Sequence, residues 1–464
     1  MKSLGEITPY SEYQKIGLPW LEQIPEHWQL IKTKHLFRER NEKGYPDEPL
    51  LAATQTKGVV RKEQYENRTV LALKDLQLLK LVRVGDFVIS LRSFQGGIEI
   101  THEQGIISPA YTILYPKKTV NSQFFAKLFK SKPYIENLTL FVTGIRQGQN
   151  IDYERLSRSY LPVPPVEEQA KIAQFITHFD SRISRLIRAK RRLIALLNEQ
   201  KQAIIQQAVT RGLDPHVRLK PSGVEWLGDI PEHWEILPGK ACFKEKKIPN
   251  TGLKIKKVLS LSYGKIIVKP EEKLHGLVPA FFETYQIIDK DDIIVRPTDL
   301  QNDHTSLRFG LSTEIGIITS AYMCLNTEDI LTSEYGYLLL HTYDLIKIIY
   351  RLGSGLRQNL SWEDFKYLPC IVPPLSEQIS IADYINTKNH GIDTQIERYK
   401  HELTLLNEYR TRLIADVVTG KLDVRGVELP ALDEAELGES LTEEPDELPD
   451  EALEAEFDAE DGYE

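Results

Sequence analysis

The chain has 464 residues, 41% hydrophobic and 27% charged, a balance that excludes wholesale disorder and allows two or more cores of ordinary size. No apolar run is long enough to span a bilayer, and Met1–Tyr10 lacks the apolar stretch of a secretory signal, so a cytoplasmic protein is expected. The formal net charge of −9 is unevenly spread: residues 428–464 carry seventeen acids and no base, leaving a body of 50 acids and 58 bases at about +8. Read alone, that acidic run is a disordered, solubilising tail, with competition against phosphates for the basic body as the sharper alternative. Cys242, Cys324 and Cys370 are far apart and form no CxxC pair, which argues against a zinc site; Cys242 and Cys370 read as small core or surface residues.

Taken in chain order, the elements occur twice. IPEHW at Ile24–Trp28 returns at Ile230–Trp234, 206 residues later. Between Trp28 and Tyr160 short β-rich runs such as GDFVIS alternate with turn residues and with a helical stretch, Gln123–Phe129. GIISPAY at Gly105–Tyr111 reappears as GIITSAY at Gly316–Tyr322, and TGIRQGQN at Thr143–Asn150 as SGLRQNL at Ser354–Leu360. LPVPPVEEQ at Leu161–Gln169 is echoed by IVPPLSEQ at Ile371–Gln378, prolines and acids marking a helix start in each. The offset of 209 then holds for about forty-five residues, through LLNE in both copies and AVTRGLD against VVTGKLD. Such an ordered series identifies a duplication. By contrast, Arg68–Val84 has no obvious counterpart in the second copy.

After each Pro-Pro stop a long helix is predicted. In the first, Ile172, Ile176, Phe179, Ile183, Leu186, Leu193, Leu197 and Ile204 fit a seven-residue coiled-coil seam, with Lys190, Gln200 and Gln207 as polar seam positions that set register. In the second, Ile381, Ile385, Ile392, Tyr399, Leu406, Tyr409 and Leu413 take equivalent places. Two such helices in one chain most simply pack antiparallel. The expected fold is α+β: two mixed α/β domains (1–160 and 216–368) separated by two long antiparallel coiled-coil helices (161–215 and 369–427), in an internal pseudo-twofold repeat closed by the tail (428–464).

Catalytic motifs are missing from the sequence. The Gly-Lys pairs at Gly239, Gly264 and Gly420 are followed by Ala, Ile and Leu, not by the Ser or Thr of a phosphate-binding loop. The Pro-Pro segments open helices and lack the Asn/Asp-Pro-Pro-aromatic order typical of DNA amino-methyltransferases. No HExxH or GxSxG occurs. No catalytic residue and no metal ligand is therefore assigned.

The ordered pairs of IPEHW, GII-x-x-AY, G-[IL]-RQ, PP-x-x-EQ and LLNE…V-T segments resemble the specificity subunits of type I restriction–modification systems, over nearly the whole chain except the acidic tail. The resemblance implies two target recognition domains, each reading one half of a split double-stranded DNA site, and two helices that hold them apart and dock two modification subunits. Restriction subunits carrying the motor and nuclease join that assembly. S-adenosylmethionine, ATP and Mg belong to the partners, and this chain binds no cofactor and is not itself an enzyme. Adenine methylation and ATP-dependent cleavage are activities of the complex. A single-chain nuclease with an unrecognised carboxylate site and a protein-interaction scaffold are the alternatives; the basic body favours nucleic acid.

DNA-contact candidates follow from side-chain chemistry, since Arg pairs with guanine, Gln and Asn with adenine, and all three with phosphate. One set repeats: Arg146, Gln147, Gln149 and Asn150, then Arg357, Gln358 and Asn359. Its recurrence suits a shared structural or phosphate role better than base reading. A divergent set follows the GDFVIS and DDIIV strands: Arg92, Ser93 and Gln95, then Arg296, Gln301, Asn302 and Arg308. Lys254, Lys256 and Lys257 suit phosphates. His27 and His233 are read as turn or cap residues, and Trp28 and Trp234 as apolar anchors.

Overall fold

The computed structural model describes residues 7–54, 58–64, 75–117, 120–143, 150–270, 282–298, 300, 301, 303, 307–351 and 359–430. The chain forms two compact units. The first joins residues 1–190 to 401–464, and the second is the continuous stretch 191–400. Each unit thus contains one repeat's mixed domain, the start of that repeat's long helix and the end of the other.

In the first unit a four-stranded antiparallel sheet runs in the order Phe37–Arg40, Thr112–Pro116, Phe87–Ile89, Glu99–Ile100. Beside it Lys80–Val82 pairs with Gly105–Ile107, and Leu51–Thr54 with Gly58–Arg61. The second unit repeats this plan strand for strand. Phe243–Lys246, Met323–Thr327, Ile293–Val295 and Phe309–Leu311 lie in the same order, extended by Lys265–Val268 and Leu259–Ser262. Gln286–Ile288 pairs with Gly316–Ile318 as Lys80–Val82 pairs with Gly105–Ile107. Part of the segment without an evident sequence match therefore has a structural one. The pairing constrains which backbone atoms meet and leaves side chains free to differ.

The central strands are buried throughout, Phe87, Val88 and Ile89 in one unit and Ile293, Ile294 and Val295 in the other. Such continuous apolar runs identify strands covered on both faces. A buried acid opens each: Asp86 accepts from Arg40 Nε at 2.7 Å, and Asp292 pairs with Lys246. Arg40 and Lys246 occupy equivalent places at the end of the edge strand, one strand beyond the central strand's neighbour, so a charge pair is kept with its cation exchanged.

The long helices are Val166–Arg211 and Leu375–Val418, 46 and 44 residues, roughly 65–70 Å each at about 1.5 Å per residue. Within the first unit Asp180 pairs with Arg410 and Lys190 with Glu402, so one index falls as the other rises and the helices run antiparallel. In the second unit Lys201 pairs with Asp393, and Ile205 shares a core with Ile381 and Ile385. The apolar stripe differs from the expected seam. Leu186, Leu193 and Tyr409 are exposed, as are Gln200 and Gln207, and the buried face of the first helix passes instead through Ile187 and Ile205. Ile172, Ile183, Ile194 and Ile205 recur every eleven residues, and Ile381, Ile392, Leu403 and Ile414 repeat that spacing at the 209-residue offset. Seven-residue spacing gives 3.5 residues per turn and drifts around a straight helix of 3.6. Eleven residues over three turns gives about 3.67, which follows the face more closely. Ile172, Ile176, Ile183, Ile381, Ile385, Ile392 and Leu413 are buried, while Phe179, Leu197, Ile204, Tyr399 and Leu406 are half-buried. Among the described residues no helix is long and apolar enough to cross a membrane.

Candidate nucleic-acid interface

In each unit the mixed domain is bolted to its long helix by the recurring motifs. PEHW forms a turn closed by Trp28 N–H to Pro25 C=O at 2.9 Å, and by Trp234 N–H to Pro231 C=O at 3.0 Å. The strand that follows pairs with the strand before the helix, Gln29–Lys32 with Tyr160–Val163 and Glu235–Pro238 with Pro369–Val372. The tryptophans are 1% and 0% exposed. Each indole N–H donates to the helix's first-turn glutamate, Trp28 to Glu168 at 3.0 Å and Trp234 to Glu377 at 2.9 Å. The histidines contact the same acids, His27 Nε2 to Glu168 at 2.8 Å and His233 Nε2 to Glu377 at 2.6 Å. They belong to a turn, as expected, and their glutamate partners could have been read from the co-occurrence of PEHW and EQ in both copies.

The next residue completes the joint. Gln169 Oε1 accepts from Asn121 N at 2.9 Å and its Nε2 donates to Pro164 O; Gln378 repeats this with Thr332 N at 2.8 Å and Pro373 O. Asn121 and Thr332 cap the domain helices Ser122–Phe129 and Ser333–Leu345. A buried amide bonded through both its oxygen and its nitrogen fixes an orientation as well as a contact.

The opposite ends of the long helices close on the same tryptophans. Gly212 and Gly420 have φ of +76° and +79°, and a Cβ on either would press on Trp234 or Trp28 at 3.2 and 3.1 Å. Glycine serves at once the left-handed turn that ends a helix and the close approach.

Against this frame the contact candidates separate into groups. Arg92 and Gln95 are exposed on the short helix Ser93–Gly96 and its N-terminal flank, directly after the central strand. Ser93 is buried and its Oγ accepts Ser90 N at 2.8 Å, so it shapes the turn and offers nothing to a ligand. Lys254, Lys256 and Lys257 are exposed, with Lys257 paired to Glu314 at 3.0 Å. Arg296 is half-buried, 3.9 Å from Asp303, and Gln301 is exposed. Arg308 corrects the sequence reading: it is 0% exposed and bonded inside its own domain, because its side chain points under the segment it was expected to extend. Asn150 and Asn359 are exposed. Leu360 N donates to Pro297 O at 2.8 Å, which brings the end of the second Arg-Gln-Asn segment beside Arg296. Arg146, Gln147, Gln149, Asn302, Arg357 and Gln358 lie outside the described residues. All three cysteines are buried and free. Among the described residues no three His, Cys, Asp or Glu side chains converge as metal ligands would.

Residues 25–195 match the family model of the type I restriction modification DNA specificity domain. A Methanocaldococcus jannaschii protein assigned as the MjaX specificity subunit of a type I restriction enzyme is 23% identical over 440 residues, covering 87% of this chain and 95% of that protein. The MjaVIII type I restriction enzyme specificity subunit of the same organism is 24% identical over 352 residues, covering 69% and 78%. Among solved structures, a chain from work on complex assembly and conformational transition of the type I R-M system superposes with a TM-score of 0.58 at 14% identity, over 86% of this chain and 99% of that one, a likeness of fold. In its duplicated domain, the long helix that follows each copy and the joints between them, as in these matches, the chain is similar to the specificity subunits of type I restriction–modification systems.

Proposed function

We propose that this chain supplies the DNA sequence specificity of a type I restriction–modification complex and performs no chemistry itself. Each mixed domain reads one half of a split double-stranded site, and the helices dock two modification subunits, with restriction subunits completing the assembly. S-adenosylmethionine, ATP and Mg are held by those partners.

One observation carries this reading: the two domains share their strands and their joints but differ in the polar side chains that follow the central strand. Arg92 and Gln95 stand at a helical turn in one; in the other Arg296 directly follows the strand and Gln301 lies in a turn. A constant scaffold with differently placed Arg and Gln suits two different half-sites. The basic body supplies the phosphate attraction such binding needs and makes it salt-dependent.

Mapping methylated adenines in cells with and without the gene tests the proposal, and a split motif that vanishes with the gene is expected. Replacing Trp28–Tyr160 by the equivalent domain of another such subunit should change one half of that motif and preserve the other. A methylation pattern indifferent to the gene would overturn the reading.

A further inference from the structure

In each unit the segment after the central strand is tied down by a cation that reaches it from inside the domain. In the first, the helix Ser122–Phe129 ends at Lys130, whose Nζ donates to Gly96 O at 2.8 Å and pairs with the buried Glu99. Gly97, at φ +84°, passes so close to the helix end that a Cβ would collide with the Phe129 carbonyl oxygen. At the near side Ser90 N donates to Ser93 Oγ at 2.8 Å, and Arg92 N to Ser90 Oγ at 3.3 Å. Arg92 and Gln95 therefore project from a single helical turn fastened at both ends.

The second unit reaches the same result with other chemistry. Arg308 donates to the carbonyl oxygens of Thr298 and Asp303, the latter at 2.5 Å, and its Nη2 lies 3.3 Å from the Asp303 carboxylate. Its Nε contacts Tyr350 Oη at 3.4 Å, and its backbone N donates to Asp344 Oδ2 at 2.7 Å. Asp344 sits on Ser333–Leu345, the counterpart of Ser122–Phe129. Asp303 in turn neighbours Arg296. A buried ion pair is a weak source of stability because desolvation offsets attraction, and apolar side chains would hold the fold as well. Directional bonds to the carbonyls of one segment instead fix a conformation.

We propose that Lys130 and Arg308 are positioning residues for sequence reading: each holds the segment that presents Arg92 and Gln95, or Arg296 and Gln301, and each governs one half of the split site. The inference rests on the reading of these domains as DNA-binding. The test is selection of a randomised duplex DNA library by the full chain assembled with its modification subunits, for wild type, Lys130→Met/Glu99→Gln, Arg308→Met and the conservative Lys130→Arg and Arg308→Lys. The double substitution leaves no carboxylate charge buried at that site. Each Met variant should lose discrimination at one half-site by roughly ten-fold, about the worth of one bidentate base contact, and keep the other half within two-fold, with the conservative variants intermediate. Thermal melting of each variant is followed alongside. Uniformly weaker binding with both half-site preferences intact would show that these residues serve stability alone and overturn the inference. Absence of any preference in the wild-type complex would instead overturn the DNA reading on which it rests.

Discussion

The two joints are built on the same motifs and differ in burial. Glu168 is 5% exposed and Glu377 is 40% exposed, although each takes a tryptophan N–H and a histidine Nε2. The difference comes from how the chain closes each unit. At the first joint two separate stretches converge: Tyr10 donates to Glu168 at 2.6 Å, and Arg425, held by Asp423, stacks 4.9 Å over the Tyr10 ring. Burial and the Glu168 carboxylate both keep the Tyr10 hydroxyl protonated. At the second joint a single stretch, 212–218, runs from the helix end into the next hairpin. Asp214 there accepts His216 N as Asp423 accepts Arg425 N, but His216 is exposed. Identical motifs thus produce a sealed joint where two chain segments meet and an open one where one segment passes.

The largest effect should be common to both joints. Trp28→Ala and Trp234→Ala each remove a fully buried indole and should each cost about 3–5 kcal/mol of their unit's stability, measured by urea unfolding with hydrogen exchange to assign the unit. A several-fold inequality would break the equivalence of the cores. Next, Glu168→Ala strands buried Tyr10 and Trp28 donors and should cost about 2–4 kcal/mol, against about 1 kcal/mol for Glu377→Ala, where water can enter the place of the half-exposed carboxylate. Equal costs would mean that the extra cover at the first joint is energetically idle.

The domains should also respond oppositely to pH at a matched place. Burial pushes Glu99 up to about 7, against the pull of Lys130. Between about 4.5 and 7 the unfolded chain releases that proton first, so this group lowers stability as pH rises through the window, by at most about 1.4 kcal/mol per pH unit. His341 stands where Lys130 stands in the other repeat, and burial, helped by Lys201, holds it down at about 4. There the unfolded chain binds the extra proton, so stability rises with pH between about 4 and 6.5. Glu99→Gln and His341→Phe should each abolish one slope, followed by hydrogen exchange of peptides from the two units; slopes of the same sign would refute the assignment. The smallest difference lies along the helices. Asp180, bonded to Lys127 and Arg410 and held below the usual carboxylate range by both despite its burial, should cost about 1.5–3 kcal/mol as Asp180→Asn. Removal of Asp393, half-exposed beside Lys201, should cost under about 0.5 kcal/mol.

The duplication, the helix starts and the antiparallel partnership were legible because each leaves a pattern in residue type: proline and acid at a helix start, glycine at its end, isoleucine along its face. The helix seam was legible in part. Ile183 fits both a seven- and an eleven-residue spacing, and only the partner decides that Ile187 rather than Leu186 follows it. The candidate interface was least legible. Arg92 and Arg308 look alike in sequence, each beside a short β run, and nothing local shows that one faces water and the other sits under Tyr350. Lys130 and Glu99 were missed for the same reason, since thirty-one residues separate the partners of that pair.

The first unit is assembled from the two ends of the sequence. Leu413, Val417, Val418 and Val424 share one core with Ile24, Trp28 and Phe124, whereas the second unit is continuous. On a ribosome, the domain translated first must wait for residues 413–424 before its tryptophan is covered, while the domain translated later can close ahead of it. Long-range closure of this type is slow and leaves apolar surface open meanwhile. The earlier half of the nascent chain is thus the one in need of chaperone protection, and premature termination anywhere before about residue 413 strands it without its last layer.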